Sequence, residues 1–237
     1  MMLYPLLLLC GAVLLAAYIR EKIRAYSVKA LLLKSLVSAL FIAVAVYGSW
    51  RAALDGRVTP LFPFVGMGLV CGLLGDIWLD LKYVFPEKDG PFTFAGFGAF
   101  GLGHILFLAG MLLSYPDLGG PLTVAAPLLL ALALSLGNAL LEKPMKLHYG
   151  RFKAVVIAYG ALLFAMVLLS GSLALRCGWR ERPLNLLFAG GVFFAVSDLI
   201  LSGTYFGTGR ERPVDLALNY LTYYTGQFLI ASALVFS

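Results

Sequence analysis

Long apolar segments alternate with short polar ones along the whole chain. Eight of these segments hold about 20 mostly apolar residues each, the length that a helix needs to cross the hydrocarbon core of a bilayer. Prolines stand at or near the ends of most segments, where a missing N–H and a helix-breaking ring do least harm. The pattern predicts an all-α transmembrane bundle of eight helices, with spans near residues 3–19, 30–49, 60–80, 94–114, 121–141, 153–175, 184–206 and 215–236.

The composition excludes a soluble protein. Of the 237 residues, 61% are apolar and 13% are charged, whereas soluble domains have about 45–50% and about 25%. Eight spans leave only short loops, so we predict a single transmembrane domain over residues 1–237. The three cysteines are scattered singly, which indicates neither a disulfide framework nor a metal cluster; they are Cys10, Cys71 and Cys177.

Basic residues are distributed unevenly between the two sets of loops. The loops after the first, third, fifth and seventh spans carry twelve lysines and arginines, the last two being Arg210 and Arg212, and the other loops carry five. Since basic loops face the cytoplasm, both termini are predicted on the non-cytoplasmic side. The net charge of +6 then reflects orientation, and no nucleic-acid partner is predicted. Compact loops favour a bacterial inner membrane, although a protein of the endoplasmic reticulum would look much the same.

A short internal repeat links the two halves of the chain. Residues 74–79 read LGDIWL and residues 196–201 read VSDLIL. The offset is four spans, so both copies cross the membrane in the same direction. The repeat indicates two four-helix halves related by an axis near the membrane normal, with chance similarity as the alternative.

A few polar side chains interrupt the predicted spans. An ionisable group at the centre of a spanning helix costs at least about 2.5–3.5 kcal/mol, which makes each one a functional hypothesis. At about 1.5 Å per residue, the main ones fall between ~6 and ~15 Å from the cytoplasmic interface. This common depth predicts a polar chamber open to one side. Its candidate residues are Lys34, Asp76, His104, Asp198, Tyr223, Tyr224 and Gln227.

Asp76 and Asp198 are the candidate catalytic residues. Two carboxyl groups removed from water, one protonated and one ionised, form the arrangement used in general acid/base hydrolysis. The assignment of acid and base stays open. The alternative is structural, with Lys34 pairing one aspartate and Tyr224 or Gln227 pairing the other. Asp80 lies one turn beyond Asp76, and we expect it at the interface, solvated or paired with Lys82.

The remaining candidates each have two interpretations. Lys34 could anchor a phosphate or neutralise an aspartate, although a lysine near a helix end can also extend to the interface. His104 could be catalytic or structural, and a metal site is not predicted because the other histidine, His148, lies in a loop. Tyr223 and Gln227 are four residues apart and share a helix face, which favours a lining role.

The ordered set of motifs resembles the lysoplasmalogenase (YhhN-like) family of integral membrane proteins. The motifs are GDIWL at residues 75–79, the Gly- and Phe-rich segment 97–104 that ends in a histidine, SDLIL at 197–201, and YYxxQ at 223–227. The resemblance covers roughly residues 29–231. One departure is Lys34-Ser35, where the family usually has Lys-Pro: the lysine is kept and the proline, which would affect the helix geometry, is not.

The resemblance implies an activity. Members of the family are eight-helix proteins that hydrolyse the vinyl-ether bond of lysoplasmalogens, releasing a fatty aldehyde and a glycerophospho-ethanolamine or -choline. Asp76 and Asp198 would then be the catalytic pair. The implied partners are a lysophospholipid substrate and membrane lipid, with no cofactor and no metal, and the oligomeric state stays open. The residues lining the site would be Lys34, His104, Tyr223, Tyr224 and Gln227.

Two other functions compete with this one. A lipid-binding protein or a proton- or cation-coupled transporter could use the same buried aspartates. In a transporter, polar groups would continue to the far side of the membrane. The outer halves of spans 3, 4, 7 and 8 hold almost none. An intramembrane aspartyl protease would share the Gly75-Asp76 pair, but the rest of its spacing does not follow.

Overall fold

The described part of the protein is a bundle of eight long helices. The computed structural model describes residues 2–118, 120–207 and 212–237, and these ranges hold eight α-helices and no strand. The all-α prediction is therefore confirmed. The helices are α1 (Leu3–Arg24), α2 (Val28–Leu54), α3 (Leu61–Val84), α4 (Asp89–Ser114), α5 (Pro121–Leu140), α6 (Lys153–Arg176), α7 (Arg182–Phe206) and α8 (Pro213–Ala233).

Within the described ranges, seven helices, α1 to α7, are long and apolar enough to cross a membrane by length and composition. These helices identify the chain as a multi-pass membrane protein. α8 is more polar because it carries residues such as Asn219, Tyr223 and Gln227, and all three are buried against neighbouring helices. Its polar face is therefore directed into the protein rather than toward lipid.

Several of the predicted spans were shorter than the helices of the structure. α1 continues to Arg24 instead of residue 19, α3 to Val84 instead of residue 80, and α4 begins at Asp89 instead of residue 94. The extra turns hold charged residues that hydropathy assigns to loops. Lys22, for example, belongs to the last turn of α1 and is buried. Its ammonium group has a partner inside the bundle, Asp80 at 3.0 Å, so this charged residue continues the helix beyond the apolar stretch.

The two chain ends lie at the same end of the bundle. The Tyr4 hydroxyl near the start of α1 donates to the Ser232 Oγ near the end of α8, at 3.0 Å. Eight alternating helices require this arrangement. Arg210, one of the basic residues used to orient the chain, lies outside the described residues, and the side of the membrane on which the termini lie stays a prediction.

The two halves of the chain pack in equivalent ways. α3 packs most extensively against α4, and their counterparts four helices later, α7 and α8, form the next most extensive pair. Between the halves, α4 contacts α6, and α8 contacts α2. Because α4 corresponds to α8 and α2 to α6, these two contacts are equivalent. This packing supports the two four-helix halves that the short repeat indicated.

Close backbone contacts through glycine recur in both halves. A Cβ on Gly103 of α4 would lie 3.0 Å from the Gly68 carbonyl oxygen of α3, and one on Gly226 of α8 would lie 2.7 Å from the Gly190 oxygen of α7. Gly68 and Gly190 each stand eight residues before an aspartate, Asp76 or Asp198. Small residues let membrane helices approach closely, so these contacts fix where each aspartate lies against the adjacent helix.

Replacing Gly226 with Ala should destabilise the bundle. The new methyl group would meet backbone atoms of Gly190 and Phe194 that cannot rotate away, and overpacking of this kind costs about 1–3 kcal/mol. The measurement is thermal unfolding in detergent. Gly98→Ala on α4 is the matched control, because a Cβ there has no heavy atom within 4 Å. Equal melting temperatures for the two variants would contradict the role assigned to the glycine contact.

Candidate active site

Four of the predicted site residues line one cavity in the half of the bundle where α3 and α7 end. We call it the polar chamber; its empty space, including the mouth, is about 500 Å³. It lies among α2, α3, α4, α6, α7 and α8. The predicted residues that line it are Lys34, Asp76, Asp198 and Tyr223, joined by the polar side chains of Tyr159, Ser197, Tyr205, Asn219 and Tyr220.

Asp76 is held as a fully paired carboxylate. It is 2% exposed, and its Oδ1 lies 3.2 Å from the Lys34 Nζ. Its Oδ2 accepts hydrogen bonds from the Ser38 hydroxyl at 2.6 Å and from the Tyr223 hydroxyl at 2.8 Å. A buried carboxylate needs a cation and several donors to offset its lost hydration, and Asp76 has both.

A second aspartate, Asp80, completes a buried charge cluster. The sequence prediction for its position was wrong. Asp80 is 3% exposed, and its Oδ1 lies 3.0 Å from the Lys22 Nζ and 3.3 Å from the Lys34 Nζ. It is therefore neither solvated nor paired with Lys82, which instead lies 3.6 Å from Asp89. Because α3 continues past residue 80, Asp80 faces the same interior as Asp76. Two lysines and two aspartates thus compensate one another inside the bundle.

Asp198 has different surroundings. Its Oδ2 accepts a hydrogen bond from the Tyr159 hydroxyl of α6, not from Tyr224 or Gln227 as the structural alternative expected. Within the described ranges, no lysine or arginine forms a salt bridge with Asp198. The two carboxyl groups of the chamber are therefore electrostatically unlike: Asp76 is matched by a cation, and Asp198 contacts a neutral hydroxyl.

The other three predicted residues lie behind the chamber. Gln227 donates from Nε2 to the Tyr223 hydroxyl at 3.0 Å, and the Tyr224 hydroxyl donates to the Lys34 carbonyl oxygen at 3.2 Å. His104 is 1% exposed, and its ring centroid lies 5.5 Å from that of Tyr159. Neither ring nitrogen has a hydrogen-bond partner among the described residues. These residues support the chamber wall, and their contact with a substrate stays a prediction.

Besides the unpredicted polar side chains of the chamber wall, three residues of the charged cluster around Asp76 escaped sequence reasoning: Lys22, Ser38 and Asp80. A signal was present for two of them, because Ser38 follows Lys34 by four residues and Asp80 follows Asp76 by four. Side chains at this spacing share a helix face. Lys22 gave no such signal, since its position in a basic segment is typical of a cytoplasmic loop.

Comparison with known families agrees with the resemblance seen in the sequence. The model of the YhhN family matches residues 29–234. A match over most of the chain shows that the protein belongs to the YhhN family. No curated protein and no solved structure matches the chain.

Asp80→Asn should destabilise the bundle strongly. The change removes the carboxylate that Lys22 contacts and leaves a buried lysine uncompensated, and breaking a buried ion pair costs about 3–5 kcal/mol. Glu21→Gln is the matched control, because Glu21 pairs at 3.1 Å with Lys29, whose side chain is 71% exposed, and such a pair contributes about 1 kcal/mol at most. Thermal unfolding in detergent compares the two. A smaller loss for Asp80→Asn than for Glu21→Gln would refute the charge cluster.

Proposed function

We propose that this member of the YhhN family hydrolyses the vinyl-ether bond of lysoplasmalogens, releasing a fatty aldehyde and a glycerophospho-ethanolamine or -choline. The observation that carries the proposal is the pair of unlike carboxyl groups, Asp76 and Asp198, on the wall of one intramembrane chamber. Vinyl-ether hydrolysis needs a proton donor and a negative group that stabilises a cation. We further propose that the chamber faces the cytoplasmic leaflet of a bacterial inner membrane.

Asp198 is the proton donor in this proposal. Asp198 is half-buried on the chamber wall, and a carboxyl group inside a membrane bundle with no cation beside it costs far less free energy when it is neutral and protonated than when it is charged. The Tyr159 hydroxyl occupies one oxygen of Asp198, so the other oxygen can carry the proton into the chamber. Asp76, paired with Lys34, is already supplied with the partners that a carboxylate requires.

The first step transfers the Asp198 proton to carbon 2 of the alkenyl chain. The electron pair of the double bond forms the new C–H bond and leaves carbon 1 as an oxocarbenium ion. The Asp76 carboxylate stabilises this positive charge at close range, as the second carboxylate does in glycoside hydrolysis. The ionised Asp198 now serves as the base for the next step.

Water then adds to carbon 1 and gives a proton to the Asp198 carboxylate, which restores the acid. The hemiacetal formed in this way breaks its bond to the glycerol oxygen, while the proton of its hydroxyl passes to that oxygen. One water is consumed, an aldehyde and an alcohol are formed, and both aspartates return to their starting states. No cofactor takes part.

Lys34 acts as a counter-ion in this scheme. Its ammonium group already contacts both Asp76 and Asp80, at 3.2 and 3.3 Å. Of the two roles considered for it, neutralising an aspartate fits these contacts better than anchoring a substrate phosphate. Its charge keeps Asp76 ionised inside the membrane without the need for water.

Transport is the competing use of the same aspartates, and the rest of the bundle argues against it. A transport path would continue polar groups from the chamber to the opposite end. In the described part of the chain, two buried serines lie toward that end, Ser170 and Ser232, and each donates to a carbonyl oxygen of its own helix. Most other buried side chains between the chamber and that end are apolar. They include Val65, Leu69, Phe107, Met111, Leu187 and Ile230, each at most 2% exposed.

Aldehyde release from a lysoplasmalogen by the purified protein in detergent tests the proposal. Asp198→Asn removes the proton donor, and the loss of general acid catalysis should lower kcat by about 10²–10⁴-fold. Asp76→Asn removes the charge that stabilises the oxocarbenium ion, and should lower kcat by a comparable factor of about 10²–10³. Melting temperatures show whether each variant is folded.

Asp55→Asn is the control, because Asp55 lies exposed after α2 and pairs with Arg57, far from the chamber. It should leave aldehyde release unchanged. A folded Asp198→Asn variant that keeps the wild-type rate would exclude the proposed mechanism. Wild-type protein that binds the lysolipid without releasing aldehyde would leave a binding or transport role instead.

A further inference from the structure

The polar chamber opens into two further cavities of opposite character. One, the apolar cavity, lies among α5, α6 and α7 beside Phe97 of α4, and it shares Phe97, Tyr159, Asp198, Leu201 and Tyr205 with the chamber. The other, the tyrosine cavity, shares Leu201, Tyr205, Asn219 and Tyr220 with the chamber, and the three cavities meet at Leu201 and Tyr205. Their empty spaces, including their mouths, are about 540 and 410 Å³. Asp198 therefore stands where the chamber meets the apolar cavity.

The apolar cavity is suited to a hydrocarbon chain. Its polar side chains other than those shared with the chamber are Asn138 and Ser202, near the ends of α5 and α7. Deeper in the membrane its wall is aliphatic and aromatic. The residues there include Leu163, Phe164, Ala195 and Leu199.

The loop between α5 and α6 covers the predicted cytoplasmic end of this cavity. The His148 N–H donates to the Phe206 carbonyl oxygen at 2.8 Å, and Leu147 forms an isolated bridge with Gly207. Tyr149 is 1% exposed, and its ring centroid lies 5.0 Å from that of Phe206. These contacts separate the apolar cavity from water at that end.

The apolar cavity instead faces the bilayer. α5 packs extensively against α6 but not against α7, which leaves the side of the cavity between α5 and α7 without close helix packing. Leu199 of α7 lines the cavity and is 46% exposed. A long chain that enters beside Leu199 can therefore continue into the surrounding lipid.

The tyrosine cavity is suited to a charged head group. Tyr26, Tyr83, Tyr205 and Tyr220 line it, and their rings and hydroxyls can bind an ammonium group and a phosphate. The Lys82 Nζ lies 3.4 Å from the Tyr205 ring centroid. Lys82 is 10% exposed and lies 3.6 Å from Asp89, which is 53% exposed, so a partly compensated positive charge stands behind the Tyr205 ring of this cavity.

We propose that a single-chain phospholipid binds across Asp198, with its hydrocarbon chain in the apolar cavity and its phosphate-bearing head group in the tyrosine cavity near Lys82. The lipid has the same order of parts as the three cavities: an apolar chain, a linkage that reacts, and a charged head. The reaction assumed in this inference rests on the proposed function, whereas the orientation of the bound lipid, chain toward one cavity and head group toward the other, is tested separately.

The chain end of the proposal is tested with Ala195→Phe, which fills the apolar cavity. For a long-chain alkenyl lysophospholipid, kcat/KM should fall by about 10–200-fold, the range that a lost hydrocarbon contact gives. A substrate with a chain of a few carbons should be affected much less. Val192→Phe, one turn earlier on α7 and 38% exposed, is the control and should leave both substrates unchanged. Equal losses for the two chain lengths would overturn this half of the proposal.

The head-group end is tested with Lys82→Gln. Loss of a charge-assisted hydrogen bond should raise KM for the phosphate-bearing substrate by about 10–100-fold, while an alkenylglycerol without phosphate should be unaffected. Lys88→Gln is the control, since Lys88 is an exposed lysine outside the cavity. An equal effect of Lys82→Gln on both substrates would assign Lys82 to the fold rather than to the head group.

A third measurement does not depend on catalysis. A saturated alkyl-ether lysophospholipid, which cannot be hydrolysed, carries a photoreactive diazirine at its chain end and is cross-linked to wild-type protein. Labels on Leu163, Phe164 or Leu199 support the proposed direction even if the protein releases no aldehyde, and in that case the proposed reaction alone fails. Labels confined to the tyrosine cavity or to the outer surface of α1 overturn the proposed direction.

Discussion

Charge compensation inside the membrane is the constraint on which the site depends. A lone charge in hydrocarbon is too costly to keep, so Asp76, Asp80, Lys22 and Lys34 are stable only as a set. Because α1 supplies one member, α2 another and α3 two, the set ties these helices together at one end of the bundle. The proposed reaction centre thus gains its rigidity from the same pairs that make the charges tolerable.

The second half of the bundle repeats the backbone but not the charges. Asp198 stands at the position equivalent to Asp76, after the same glycine spacing, yet it faces the Tyr159 hydroxyl in place of a lysine. Duplication alone would give two similar carboxyl groups. The different neighbours from α2 and α6 make one carboxyl suited to hold a charge and the other suited to hold a proton.

Sequence reasoning found the helices and the main polar residues because both depend on local properties. Apolar length predicts a spanning helix, and a lysine or aspartate within such a segment is conspicuous. It failed for Asp80, because depth was counted from a span end that hydropathy set at residue 80 while the helix continues to Val84. The Asp198–Tyr159 contact and the cavity beside it depend on how α6 and α7 pack, which no local pattern records.

The loop that joins α5 to α6 has a consequence for what leaves the protein. It blocks the apolar cavity toward water through its contacts with Phe206 and Gly207, whereas the side near Leu199 borders lipid. In the proposed reaction, the two products would therefore separate on release. The apolar product would dissolve in the leaflet, and the ionic product would diffuse into the aqueous phase. Such separation into two solvents would oppose reversal and limit product inhibition.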